Sequence, residues 1–350
     1  MEKLNLSFIK KYKSKIKKYA NILLLLFSCW ILVYFCISDN NWGKLTLALP
    51  NLNFLWLSFA FFSILISSYF ESLVIFEILK FLENKALNRN DFYKITLIGQ
   101  YFSSLTPMGI GSQPAQTMEL LKINIQKDNA VTAITSKFIV YQFMLAAYSW
   151  VCSLAYLFVR PSKIILICIA IGLVVQTSFV FLVILFLTKS NYICGLGRSI
   201  YKIWKQIPKI GSRADCLKKL KTYLDSISRS LIEILKNKAL LIKTLIYSFL
   251  QITFLFSVPL FIFKAFNSAP CPAPQLICTG CVANTVCSFT PLPGNSGSSE
   301  KSFIILFKKF FSENQIAPAM IIYRIITFYF NIIVGGLVYG INRKYKNNSK

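Results

Sequence analysis

Histidine is missing from all 350 residues, and its absence excludes Ser-His-Asp and Cys-His catalysis and every histidine metal site. No Gly-x-x-x-x-Gly-Lys-Ser/Thr loop occurs either, so nothing reads as a nucleotide-driven engine. Acidic residues are scarce: 13 Asp and Glu stand against 39 Lys and Arg, a formal charge of +26. Such an excess suits an anionic surface, and the inner face of a membrane is the one that matches the rest of the composition. The apolar share is 55% with a mean hydropathy of +0.56, too apolar for a soluble domain of this length. The chain therefore belongs in a bilayer.

Apolar runs of about 20 residues cross hydrocarbon as helices. The runs predict spans at Tyr19 to Ile37, Phe54 to Lys80, Ala130 to Val159, Lys163 to Thr188, Leu240 to Phe266 and Ala317 to Ile341. Two further apolar segments, residues 95–121 and 271–311, are interrupted near their middles by Pro and Gly and predict broken or re-entrant helices. The expected class is an all-α polytopic membrane protein.

Loop charge sets the orientation. Basic residues crowd residues 1–18, the segment after Lys80, the stretch from Lys189 to Lys238 with twelve Lys and Arg, and the tail from 342 to 350. If each broken segment returns to the face it left, all four lie on one side and both termini are cytoplasmic. The organisation expected is a basic N-terminus (1–18), a first membrane half (19–188), a basic amphipathic loop (189–239), a second half (240–341) and a tail (342–350). In the loop, Leu217, Leu220, Leu224, Ile227, Leu231 and Ile234 recur at helical spacing among lysines, the pattern of a helix lying on an anionic membrane face rather than on nucleic acid. The first apolar run has no small-residue cleavage site after it and reads as an uncleaved span.

Most of the ten cysteines sit in apolar runs, where a thiol packs as a small hydrophobe. Cys278-x-x-Cys281, flanked by Cys271 and Cys287, has the residues for a four-thiolate zinc site or for disulfides, but one CxxC in membrane-like surroundings favours packing. The expectation is no metal, no cofactor and no catalytic residue.

The broken segments resemble each other. Ser104-Leu105-Thr106-Pro107-Met108-Gly109-Ile110-Gly111 parallels Ser288-Phe289-Thr290-Pro291-Leu292-Pro293-Gly294-Asn295-Ser296-Gly297, with Ser-x-Thr-Pro shared and glycines following. A long apolar span precedes each. After each comes a span opening at Ala130 or Ala317 that carries one cation, Lys137 or Arg324, a similar distance in. Loop charge turns one unit upside down relative to the other, which is an inverted-topology repeat. Backbone broken at bilayer depth survives only against protein or a water-filled cavity, so the pair predicts a wet, cationic pocket. Half-helix N-termini from both segments would offer N–H donors to an anion there. Lys137 and Arg324 suit a lipid phosphate; the alternative is a salt bridge, Lys137 with Glu119 or Arg324 with Glu300. Glu71 and Glu77 are expected to face a neighbouring helix or the interface.

At these residues the sequence resembles the transmembrane, flippase-like region of lysylphosphatidylglycerol synthases. The resemblance runs from about the second span to the end. It rests on Thr106-Pro107 with Gly109, Gly111 and Pro114, and on Pro291-x-Pro293-Gly294-x-x-Gly297-x-x-Glu300 with Arg324. Ser112 and Asn295 stand where that pattern commonly has the second glycine of a pair, and asparagine tolerates the positive φ such a turn requires. The resemblance implies an inner-membrane protein that binds, and moves between leaflets, an anionic or aminoacylated phospholipid or another lipid-linked molecule. In bifunctional relatives, aminoacyl transfer belongs to a separate soluble domain. This chain ends at Lys350 and is expected to lack that domain and the synthase activity. The expected partners are membrane phospholipids, with no nucleic acid; the alternative function is a non-transporting subunit that presents a lipid carrier to a separate transferase. The candidate lipid site comprises Thr106, Pro107, Gly109, Gly111, Pro114, Glu119, Lys137, Thr290, Pro291, Pro293, Gly294, Gly297, Glu300 and Arg324.

Overall fold

The structure, a computed structural model, describes residues 30, 41–83, 86–158, 161–188, 232–234, 236–266, 273–288, 290 and 292–348. Apart from residue 30, the span expected at Tyr19 to Ile37 lies outside the described residues, as does nearly all of the basic loop.

All regular elements among the described residues are helical. A short helix, α1 (Asn41–Ala48), leads into α2 (Phe54–Leu82), whose first turn is capped by the Asn53 side chain accepting from the Leu55 amide. Then come α3 (Arg89–Ser104), a 3-10 turn (Pro107–Gly109), α4 (Ser112–Lys122), α5 (Lys127–Leu157) and α6 (Lys163–Thr188). After them come α7 (Lys238–Phe256) and α8 (Val258–Ala265), α9 (Ala273–Cys287), a 3-10 turn (Pro293–Asn295), α10 (Ser298–Phe307), then α11 (Ile316–Arg324) joined through a π turn (Ile325–Tyr329) to α12 (Phe330–Asn348).

Among the described residues, five helical stretches are long and apolar enough to cross a membrane: Phe54–Leu82, Lys127–Leu157, Lys163–Leu182, Lys238–Ala265 and Ile316–Arg343. Each overlaps one of the apolar runs in the sequence, and the protein is a multi-pass membrane protein. Helices α3, α4, α9 and α10 have 16, 11, 15 and 10 residues. At 1.5 Å per residue even the longest reaches only about 24 Å, short of a hydrocarbon core of about 30 Å. They fold instead as two hairpins. Gly99 packs on Gln116 across the first, and the Cys287 thiol meets the Ser302 hydroxyl across the second.

The expected span from Leu240 to Phe266 is interrupted at Ser257. Pro259 has no N–H and cannot continue the helical ladder, so α7 and α8 meet at a kink that the Phe261 amide still bridges to Ser257 O. This kinked rod lies antiparallel to α2 along its whole length. The Asn53 amide donates to Ala265 O at 2.8 Å, the Ser63 hydroxyl lies 2.8 Å from that of Ser257, Ser67 donates to Gln251 O at 2.9 Å, and Lys243 pairs with Glu77 at 2.8 Å.

One apolar core lies under α8 to α11, where Phe303 stacks on Phe307 at 4.4 Å. A second joins the C-terminal half of α2 to α3 and α5 through Ile75, Leu79, Phe92 and Ile134. Helix α6 turns Ile167, Val174 and Phe181 outward, as a lipid-facing helix does. Cys278, Cys281 and Cys287 are free thiols, and no metal-binding group of side chains occurs among the described residues; Cys271 lies outside them.

Candidate functional site: a polar cavity between two proline turns

The first hairpin closes on one hydroxyl. Thr106 Oγ1 donates to Phe102 O at the end of α3 and accepts from the Gly111 amide at the start of α4, each at 2.8 Å. Between them the chain passes through Met108 (φ 55°) and Gly109 (φ 68°), both left-handed. Gly111 is required by space: a Cβ there would stand 2.6 Å from Phe102 O.

The second hairpin reaches the same backbone by other means. Gly294 (φ 56°) and Asn295 (φ 52°) take the left-handed positions. The matching residues are thus Pro107 with Pro293, Met108 with Gly294 and Gly109 with Asn295. The Thr-Pro pairing suggested by sequence is two residues out of register, because Thr290-Pro291 precedes the turn. Asn295 does hold the positive φ that its side chain tolerates. Arg324 fastens this turn, donating to Gly294 O at 2.8 Å and to Ser296 Oγ at 3.0 Å. Its Nε lies 2.9 Å from Glu300 Oε1, an ion pair whose N–H points off the line between the atoms. Glu300 Oε2 accepts from the Gly297 amide at 2.6 Å, and the Phe328 ring lies 4.8 Å from the guanidinium carbon. Arg324 is 3% exposed and Glu300 1%, so both are sealed into the scaffold.

The two 3-10 turns pack against each other, and beside them lies a cavity of about 440 Å³. Met108 and Gly109 line it from one turn, Gly294 and Asn295 from the other. The remaining wall mixes the apolar Phe138, Leu255 and Phe328 with many polar side chains: Ser67 and Glu71 of α2, Gln100, Ser103 and Ser104 of α3, Ser112 and Gln113 of α4, Lys137, Tyr141 and Gln142 of α5, Gln251 of α7, Asn284 of α9 and Asn331 of α12.

At its edge Glu71 gathers donors from four helices. Oε1 accepts from Lys137 Nζ at 2.6 Å and Gln116 Nε2 at 3.0 Å; Oε2 accepts from Gln100 Nε2 at 3.2 Å and Gln251 Nε2 at 3.5 Å. Lys137 also donates to Gln116 Oε1 at 2.9 Å. A buried carboxylate is tolerable only when paired and hydrogen-bonded, and here both conditions hold.

The family model for the lysylphosphatidylglycerol synthase TM region matches residues 21–335. The chain belongs to this family. Its match takes in both hairpins, the cavity, four of the described spans and the fifth as far as residue 335. No curated relative matches the chain.

Of the residues singled out by sequence in this family member, Gly109, Lys137 and Gly294 line the cavity, while Thr106, Gly111, Gly297, Glu300 and Arg324 build its turns. Pro107 and Pro293 open the turns. Pro114 is exposed on α4, and Thr290 follows α9 with its amide bonded to Cys287 O; Pro291 lies outside the described residues. Glu119 is not the partner of Lys137. One turn beyond Gln116 on α4, it is taken up by Lys122 and Asn342, and Lys137 pairs with Glu71 instead. The expected cationic pocket is corrected with it: among the lining residues one lysine faces one glutamate, and the guanidinium of Arg324 is spent on the turn. Of the two half-helix N-termini, α4 borders the cavity through Ser112 and Gln113, whereas the Glu300 carboxylate already occupies the start of α10. Gln100, Gln116 and Gln251, which hold Glu71, carry no charge to mark them in the sequence. The rule that marks charges in apolar runs, extended to amides, would have found them.

Proposed function

We propose that this protein binds the headgroup of an anionic or aminoacylated phospholipid, or of another lipid-linked molecule, in the cavity between the proline turns and carries it between leaflets. The observation that carries the reading is the cavity itself: polar side chains from both halves surround a space formed where two hairpins meet. Irregular backbone and ionisable groups at bilayer depth mark transport pathways in membrane proteins, and binding sites of transporters lie between repeats. The inverted relation of the two units belongs to this proposal. It is supported by the matching order of elements and by the antiparallel run of α2 against α7 and α8. Rocking of one half against the other would expose the cavity to each face in turn. The excess of basic loops on one side supports placement in the inner membrane with both termini cytoplasmic.

Among the described residues lining the cavity, no hydroxyl is hydrogen-bonded to Glu71 or Lys137, which supports a transporter over an enzyme. The test is headgroup translocation in vesicles reconstituted with the purified full chain. Wild-type protein should bring a leaflet-labelled phospholipid across faster than protein-free vesicles, and Lys137→Ala should slow it. Equal rates with and without protein would remove the transport reading.

A further inference from the structure

Resting on the reading of the cavity as a headgroup site, we infer that it selects a headgroup carrying one phosphate and one primary ammonium, with no net charge, over a headgroup that is only anionic. The warrant is the charge of the wall. Among the residues lining the cavity the ionisable pair is Lys137 and Glu71, one of each sign. An anionic phosphate brought in alone would leave an excess negative charge beside the Glu71 carboxylate, in surroundings where unbalanced charge is costly. A headgroup bearing both signs leaves the total unchanged and adds a second ion pair.

The hydrogen-bond geometry leaves room for this. An ammonium has three N–H donors, and the Lys137 bonds to Glu71 Oε1 and Gln116 Oε1 occupy two of them. The third serves a phosphate oxygen. On the carboxylate, Oε1 holds the short bonds, while Oε2 has only the longer ones from Gln100 and Gln251 at 3.2 and 3.5 Å. Amide donors at those distances give way to an ammonium, whose charge-assisted bond is the stronger. The resting ion pair thus remains intact and acts as a template, phosphate at the lysine end and ammonium at the glutamate end.

The experiment measures binding of two short-chain lipids to the full chain in detergent: dihexanoyl phosphatidylethanolamine, which carries both charges, and dihexanoyl phosphatidylglycerol, which carries only the phosphate. Wild-type protein should bind the first about tenfold more tightly, a difference of about 1.4 kcal/mol. Glu71→Gln should reverse the order. Should that variant fail to fold because Lys137 is left unpaired, the double variant Glu71→Gln/Lys137→Gln buries no charge and should bind both lipids alike. Equal or tighter wild-type binding of phosphatidylglycerol, or an unchanged preference in the double variant, overturns the inference. Glycerophosphoethanolamine separates the sources of the same chemistry: if it binds as tightly as the lipid, the charge template stands, the ligand is a free solute and lipid transport falls. Vesicle translocation at equal rates for both lipids sinks the template and leaves transport standing.

Discussion

Met108 and Gly294 hold the same left-handed backbone, φ 55° and ψ 15° against φ 56° and ψ 22°, in two turns that border one cavity. Their surroundings differ. Met108 is 61% exposed where it borders the cavity, whereas a Cβ on Gly294 would stand 2.3 Å from the Phe328 ring. An L-residue in this conformation costs about 1–2 kcal/mol. Met108→Gly should therefore alter the thermal unfolding midpoint little or raise it, the relief offset by the greater freedom of glycine in the unfolded chain. Gly294→Ala adds backbone strain to a ring clash and should lower the midpoint by several degrees. Equal effects at the two positions would contradict the packing of Phe328 against the turn.

The Arg324–Glu300 pair provides a second prediction. Removing one partner from a buried ion pair leaves an uncompensated charge and costs about 3–5 kcal/mol, while replacing both with apolar or neutral groups of similar size is often close to neutral. Arg324→Met alone should strongly destabilise the protein in detergent, and Glu300→Gln in the same chain should restore part of the loss. Recovery will be partial, because Arg324 also donates to Gly294 O and Ser296 Oγ. An additive double variant would show that the two side chains do not act as a pair.

Much of this arrangement was legible in the residues, and its gaps have physical causes. Pro and Gly interrupting apolar runs announced both hairpins, since neither residue type sits quietly inside a helix. Arg324 with Glu300 was readable as a pair. The partner of Lys137 was not: Glu71 lies 66 positions earlier on a different helix, and only the crossing of α2, α4 and α5 brings it close. The Thr-Pro pairing falls out of register with the turns for a related reason. Ser-x-Thr-Pro looked alike in both segments, but what repeats is the backbone of the turn, and Met108 and Gly294 share that conformation without sharing a side chain. The kink at Ser257 was readable from Pro259, yet the surrounding apolar residues masked it as one uninterrupted span.

The antiparallel seam between the halves can be tested by cross-linking. The Ser63 and Ser257 hydroxyl oxygens are 2.8 Å apart, close enough for cysteines at the same positions to form a disulfide after small adjustment. Ser63→Cys/Ser257→Cys, with the native cysteines replaced, should cross-link on mild oxidation, read as a linked peptide pair by mass spectrometry. If translocation requires α2 to slide against the kinked rod, oxidation should stop it and reduction should restore it. Absence of the cross-link at full reactivity of each single cysteine would contradict the contact between these helices.

Gly99 tests the support of the cavity's ion pair without touching either charge. A Cβ at this position would stand 2.4 Å from Gln116 Nε2, so the bare backbone of α3 is what allows Gln116 to reach both Glu71 and Lys137. Gly99→Ala must push the amide away. Leaving a buried charged group short of a hydrogen bond costs about 1–3 kcal/mol, against which alanine regains up to about 1 kcal/mol of helix propensity. The net expectation is a modest fall in the unfolding midpoint and a weaker hold on Lys137. Gln116→Ala should produce a similar fall, because it removes the same bonds. Combined, the two substitutions should cost little more than either alone, since residues sharing one contact are not additive. A double variant that loses the full sum would place the effect of Gly99 elsewhere in α3 and detach Gln116 from the ion pair.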